Sequence, residues 1–136
     1  MVNPDLVVQY ARDALGTPYV HQGRVVGKAL DCIGLAIYVA QRLNLPHIDL
    51  PAYGQSPFKG LLQEMTEKQP CLERVYQRQA GDLLLIKFTY DPQHMAICAG
   101  ETIIHCSMET GRVVEHRIDA DTERRIVAVY RFKESE

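Results

Sequence analysis

The 136-residue sequence contains no apolar run that approaches the ~20 residues a membrane-spanning helix needs. No membrane partner is expected. It also lacks a basic stripe. The densest positive spots, Arg124–Arg125 and Arg74 with Arg78, are short, and the formal net charge is −2. Nucleic-acid binding draws its affinity from clustered positive charge, so no nucleic-acid partner is expected either. The four cysteines, Cys32, Cys71, Cys98 and Cys106, form no CxxC pair and no dense framework. The opening "MVNPDLVVQYARDALG" has no basic segment followed by an apolar core, so no secretory signal is read and synthesis in the cytoplasm is expected. Reduced thiols are the default there. A pairing of Cys98 with Cys106, both in strand-like segments, stays open. No internal repeat, low-complexity segment or linker divides the chain, so residues 1–136 read as one domain. A chain of this length buries roughly two thirds of its unfolded surface and needs no disulfide staple.

What is present falls into two halves. "NPDLVVQYARDALG" opens with an Asn cap and Pro4 at the first helical position, repeats apolar residues at helical spacing and stops at Gly16. A loop, "TPYVHQGRVVGKAL", leads to a second helix that ends near Asn44. After the proline-rich "LPHIDLPAYGQ", the segment "SPFKGLLQEMTEK" reads as a helix capped at Ser56 before Pro57. From Gly81 onward the pattern changes to short β-rich runs: "GDLLLIKF", "HMAICAG", "ETIIHCS", "GRVVEHRI" and "RRIVAVYRF". "AGET" and "ETGR" read as hairpin turns. Helices followed by an antiparallel meander make an α+β fold.

The stretch "ALDCIGLAIYVAQRL" raises a chemical question. Asp31 is a good N-cap, and Ile33, Leu35, Ala36, Ile37, Val39, Ala40 and Leu43 make the helix apolar over most of its girth. Cys32 therefore stands at the positive end of a buried helix, where a thiolate is favoured. The alternative is a small packed hydrophobe, as many free cysteines are. A catalytic role needs a base. Of five histidines, His94 opens one strand and His105 lies on the next, so a tight hairpin brings their rings within reach. Nucleophile, base and orienting group would then be Cys32, His94 and His105. His21, His47 and His116 read as loop or surface residues, and Cys71 as incidental. A zinc site of His94, Cys98, His105 and Cys106 is disfavoured, because residues four apart in a strand lie ~13 Å from one another.

The ordered motifs "GTPYVHQG…LDCIGLA", "AGDLLLIKF", "QHMAICAG" and "TIIHCS", from about Thr17 to Ser107, resemble the NlpC-type cell-wall cysteine peptidases, a papain-like group. The resemblance implies N-terminal helices packed on a curled antiparallel sheet of five to six strands, with the nucleophile at the start of a central helix. It implies Cys32 as nucleophile, His94 as base and His105 as its orienting partner. Tyr19 would lie beside the nucleophile, donating to the oxyanion or the substrate, and Asp31 would help hold a free amine of the substrate. The implied substrate is the stem peptide of peptidoglycan, cut between D-glutamate, through its side chain, and a diamino acid. No metal or cofactor is implied. Two positions depart from the family pattern: Ile33 stands where many members carry a small hydroxyl residue, and "HQGR" replaces an aromatic–glycine pair. "GRVVEH" resembles the tail-associated members of phages, which implies packaging into a particle with other tail proteins. The expected resting state is a thiolate–imidazolium pair. The alternatives are a tail component of the same fold with little activity, and a cysteine amidase or acyltransferase on another substrate.

Overall fold

The computed structural model describes residues 1–49, 53, 61–87 and 92–134. Helix α1 (Pro4–Asp13) starts where the sequence places it: the Asn3 side chain accepts from the Asp5 amide, and Pro4 needs no amide partner. Its inner face buries Val7, Val8 and Ala11. Gly16 then takes a φ of +87°, which frees the chain to turn back. Helix α2 (Cys32–Arg42) is capped by Asp31, whose carboxylate accepts from the Gly34 amide at 2.8 Å. It buries Ile33, Leu35, Ile37, Val39 and Ala40. Each large side chain so buried contributes about 1.5–3 kcal/mol. Between the helices, β1 (Arg24–Val25) and β2 (Ala29–Leu30) form a small ribbon inside what the sequence suggests is a plain loop. Helix α3 (Leu61–Glu67) follows. The cap expected at Ser56–Pro57 lies outside the described residues.

The second half supplies β3 (Leu72–Val75), β4 (Asp82–Lys87), β5 (Pro92–Cys98), β6 (Thr102–Cys106), β7 (Val113–Arg117), α4 (Ala120–Arg125) and β8 (Ile126–Phe132). The six strands form one antiparallel sheet in the order β3-β8-β4-β5-β6-β7. Two features correct the simple meander. The run "ADTERR" is a helical turn capped by Asp119, so Arg124 and Arg125 end a helix rather than open a strand. That turn carries the chain back over the sheet, and β8 pairs with β4 instead of extending β7. Strand β3, unread in "LERV", closes the other edge against β8.

Strand alternation divides the sheet into two faces. Leu83, Leu85, Met95, Ile97, Ile104, Cys106, Ala128 and Tyr130 join the helices in the main core. Leu84, Ile86, Ala96, Cys98 and Ile103 form a smaller cluster on the other face. Cys98 and Cys106 therefore point to opposite faces, and all four cysteines are free thiols. The chain that precedes β1 is laid along the β7 edge. Gly16 and Tyr19 donate to Val113 and Gly111, and Val113 donates back to Thr17.

Candidate active site

The hairpin at Gly100 sets the register of β5 and β6 through Ile97↔Ile104 and Cys98↔Ile103. Pairing stops there, and the first half of β5 stays paired only with β4. Helix α2 packs against both β5 and β6. The Cys32 sulfur sits against the backbone amide of Met95, the residue after His94, with the Cys106 thiol nearby. His94 and His105 are both buried, and His94 Nε2 lies 2.8 Å from His105 Nδ1. The two rings meet edge to face, with centroids 5.0 Å apart. The expected histidine pair is thus formed. It stands on the side of the sheet that carries Ile86 and Ile103, opposite α1, α2 and α3.

Tyr19 is held between two elements by its backbone: its amide donates to Gly111, and it bridges to Leu30. Its hydroxyl lies near Asp31, Cys32 and Cys106; burial and then the Asp31 charge push it above the ordinary tyrosine range. Asp31 is buried and fully engaged. One oxygen accepts from Gly34 at 2.8 Å and Arg24 at 3.1 Å; the other accepts from the Gln22 amide at 2.8 Å and from the Tyr53 hydroxyl. Arg24 is in turn gripped by Asp49 and Tyr53. A substrate amine at Asp31 must therefore replace one of these internal donors. Ile33 points away from the site, into an apolar cavity that it lines with Leu62, Met65, Leu83, Met95 and Phe132. That explains why a large apolar residue is accommodated next to Cys32.

Electrostatics weigh against the expected ion pair. Burial, and then the Asp31 charge, push the Cys32 thiol from 9.0 up to about 12, against hydrogen bonds from the Met95 and Ile33 amides. Cys32 is itself only half-buried, and the helix N-terminus works against the rise. Burial and the His105 ring likewise hold His94 down at about 3. Both directions favour a thiol and a neutral imidazole at rest.

Sequence reasoning missed two participants. His116, read as a surface residue, stands 2.7 Å from His105 through its Nε2 and directs Nδ1 at the Arg117 carbonyl, 2.9 Å away. The signal was there: across the β6–β7 hairpin His105 faces Val114, so His116 is its diagonal neighbour on the same face. Tyr53 lies in the proline-rich connector, whose sequence carries no periodic pattern to place it. His21 joins this group through the Tyr53 carbonyl at 2.7 Å. His47 is half-buried at the rim of the apolar cavity.

The model of the NlpC/P60 family matches residues 16–131. No curated protein sequence matches the chain. Among solved structures, the NlpC/p60 domain of the peptidoglycan hydrolase SagA is 25% identical, with a TM-score of 0.62 over 94% of this chain and 97% of that one. A lipoprotein-like NLP/P60 protein from Staphylococcus aureus is 20% identical, with a TM-score of 0.66 over 97% of this chain and 42% of that one. NlpC2 from Trichomonas vaginalis is 14% identical, with a TM-score of 0.70 over 98% of this chain and 48% of that one. The chain thus spans nearly all of the SagA domain but less than half of the other two proteins; those two show the fold alone.

Proposed function

The chain belongs to the NlpC/P60 family, and from that premise we propose that it is a cysteine endopeptidase cutting peptidoglycan stem peptides with Cys32, His94 and His105. The coarser statement follows from membership: the protein is a cysteine peptidase of the bacterial wall, like the hydrolase domain of SagA. The observation that carries the finer reading is the buried His94–His105 hydrogen bond, one residue from the amide that touches the Cys32 sulfur.

In this reading His94 takes the Cys32 proton as the sulfur attacks the peptide carbonyl. The oxyanion develops at the start of α2, where the Cys32 backbone amide and the Tyr19 hydroxyl are at hand. His94 then returns the proton to the leaving amine, and water, activated by the same ring, releases the acyl group from sulfur. His105 orients His94 through Nε2. The bond between the D-glutamate side chain and a diamino acid is the one the Asp-Cys and Tyr19 motifs suggest. Residues 111–116, similar to tail-associated members, support delivery from a phage or prophage particle alongside other tail proteins.

Digestion of purified peptidoglycan, with the released peptides identified by mass, tests the activity. The protein should release stem-peptide fragments ending at D-glutamate. Cys32→Ala should release none, and His94→Ala should lose ~100-fold or more. Fragments released equally by Cys32→Ala would reject the site. Fractionating induced lysogens tests delivery: the protein should co-sediment with particles, and its confinement to free soluble fractions would reject the tail role.

A further inference from the structure

We propose that His116 is a positioning residue that sets the tautomers of His105 and His94 and serves as the exposed terminus of a three-histidine proton relay. The inference rests on the catalytic reading of His94, and it deepens it.

The direction of the relay can be read from its outer end. A carbonyl oxygen only accepts, so His116 Nδ1, 2.9 Å from the Arg117 carbonyl, carries a proton. In neutral His116 the lone pair is then on Nε2, where it accepts from His105 Nε2–H at 2.7 Å. His105 Nδ1 is left as an acceptor for His94 Nε2–H at 2.8 Å. The lone pair of His94 therefore stands on Nδ1, the form a base toward Cys32 requires. One backbone carbonyl at the edge of the sheet thus fixes the protonation of a ring two residues deeper.

The same chain moves charge. When the thiol proton arrives on His94 Nδ1, the Nε2 proton can pass to His105 Nδ1 while the His105 Nε2 proton passes to His116 Nε2. No proton is gained or lost: the sulfur becomes a thiolate, His94 keeps the Nδ1 proton for the leaving amine, and the positive charge appears on His116. His94 and His105 are 4% and 8% exposed, and burial resists charging either ring. His116 is exposed. The relay therefore places the cation where water solvates it, which lowers the cost of making the thiolate.

A cationic His116 reverses the order. Its Nε2 then donates to His105, His105 Nδ1 donates to His94, and His94 Nδ1 is already protonated. Acid should therefore switch off the base from the surface inward. The titratable and charged groups that line the same pocket as His116 are His94 from β5, His105 from β6, Glu109 from the β6–β7 turn, and Asp121 and Arg125 from α4, the last two paired with each other. Asp119, just beyond β7, is held below the ordinary carboxylate range first by hydrogen bonds from Thr122, and it lies within electrostatic reach of His116.

Two readouts that need no wall substrate test the proposal: long-range 1H–15N spectra of the imidazoles, and the rate of Cys32 alkylation by iodoacetamide across pH. The wild type should show His94 and His105 as Nε2–H and His116 as Nδ1–H. His116→Ala, checked for folding by circular dichroism, should redistribute the His105 and His94 tautomers and slow alkylation ~10-fold or more. His116→Gln offers an oxygen acceptor in place of Nε2 but cannot take a proton. It should recover the wild-type tautomers and lose the acid limb of the alkylation profile. Unchanged tautomers in His116→Ala, or an unmoved acid limb in His116→Gln, overturns the proposal. Failure of the peptidase reading shows up separately, in the Cys32-dependent release of wall fragments.

Discussion

At Cys32 two influences oppose each other. The start of α2 and the amides of Ile33 and Met95 favour a thiolate, while burial and the Asp31 charge favour the thiol and prevail. The measurable consequence is a labelling profile without a thiolate plateau. Alkylation of Cys32 in the substrate-free protein should keep rising through pH 8–9, because the thiol is pushed up to about 12. A rate already level in mildly acidic solution would mean that an ion pair survives burial. The N-cap carboxylate is the residue-scale surprise. Asp31 was legible as a cap from its place before an apolar run, but its clasp on Arg24 and Tyr53 was not. Those partners sit 7 and 22 residues away, one across the β1–β2 ribbon and one beyond α2, where no spacing rule applies.

At the scale of elements, the position of α2 is set by a close approach of backbones. A Cβ on Gly34 would lie 2.2 Å from the Gly23 carbonyl oxygen, and a Cβ on Gly23 would lie 2.6 Å from the Ala29 carbonyl carbon. The ribbon β1–β2 is thus pressed directly onto the first turn of the nucleophile helix. Gly34→Ala gains up to ~1 kcal/mol of helix propensity, but it overpacks against a backbone atom at a cost of about 1–3 kcal/mol. The expected net result is a lower urea midpoint and a changed rate of Cys32 labelling, because the helix must back away from its loop. A Gly34→Ala protein as stable as the parent and labelled at the same rate would contradict this packing. The hairpins behave differently. "AGET" and "ETGR" were readable as turns because Gly100 and Gly111 take φ of +96° and +74°, conformations that glycine adopts without strain. Strand β3 was not readable, since "LERV" alternates weakly and owes its pairing to β8, far along the chain.

For the whole molecule, burying two imidazoles links stability to pH. The folded-state values of His94 and His105, about 3 and about 4, lie below the ordinary 6.5. Below pH 6.5 the unfolded chain takes up protons that the folded one refuses, so stability is full above that pH and declines as pH falls toward 4 and 3. The slope is at most about 1.4 kcal/mol per pH unit for each ring. Between pH 6.5 and 5 this decline precedes most carboxylate titration. Urea unfolding across that window should show a falling midpoint, and His105→Gln should flatten the trend. A midpoint independent of pH there would mean that the rings charge freely in the folded protein.

The sequence by itself determined the local chemistry: caps at Asn3 and Asp31, glycine turns, an apolar helix headed by a cysteine, and alternating strands carrying His94 and His105. Each follows from propensity and periodicity within a few residues of chain. The ordered set of motifs also carried the family resemblance. Only the tertiary structure decided where β8 inserts, which face of the sheet holds the histidines, and how Arg24 and Tyr53 close around Asp31. It also decided the direction in which Cys32 and His94 are shifted, because desolvation is a property of everything packed around a group and of no single neighbour in sequence.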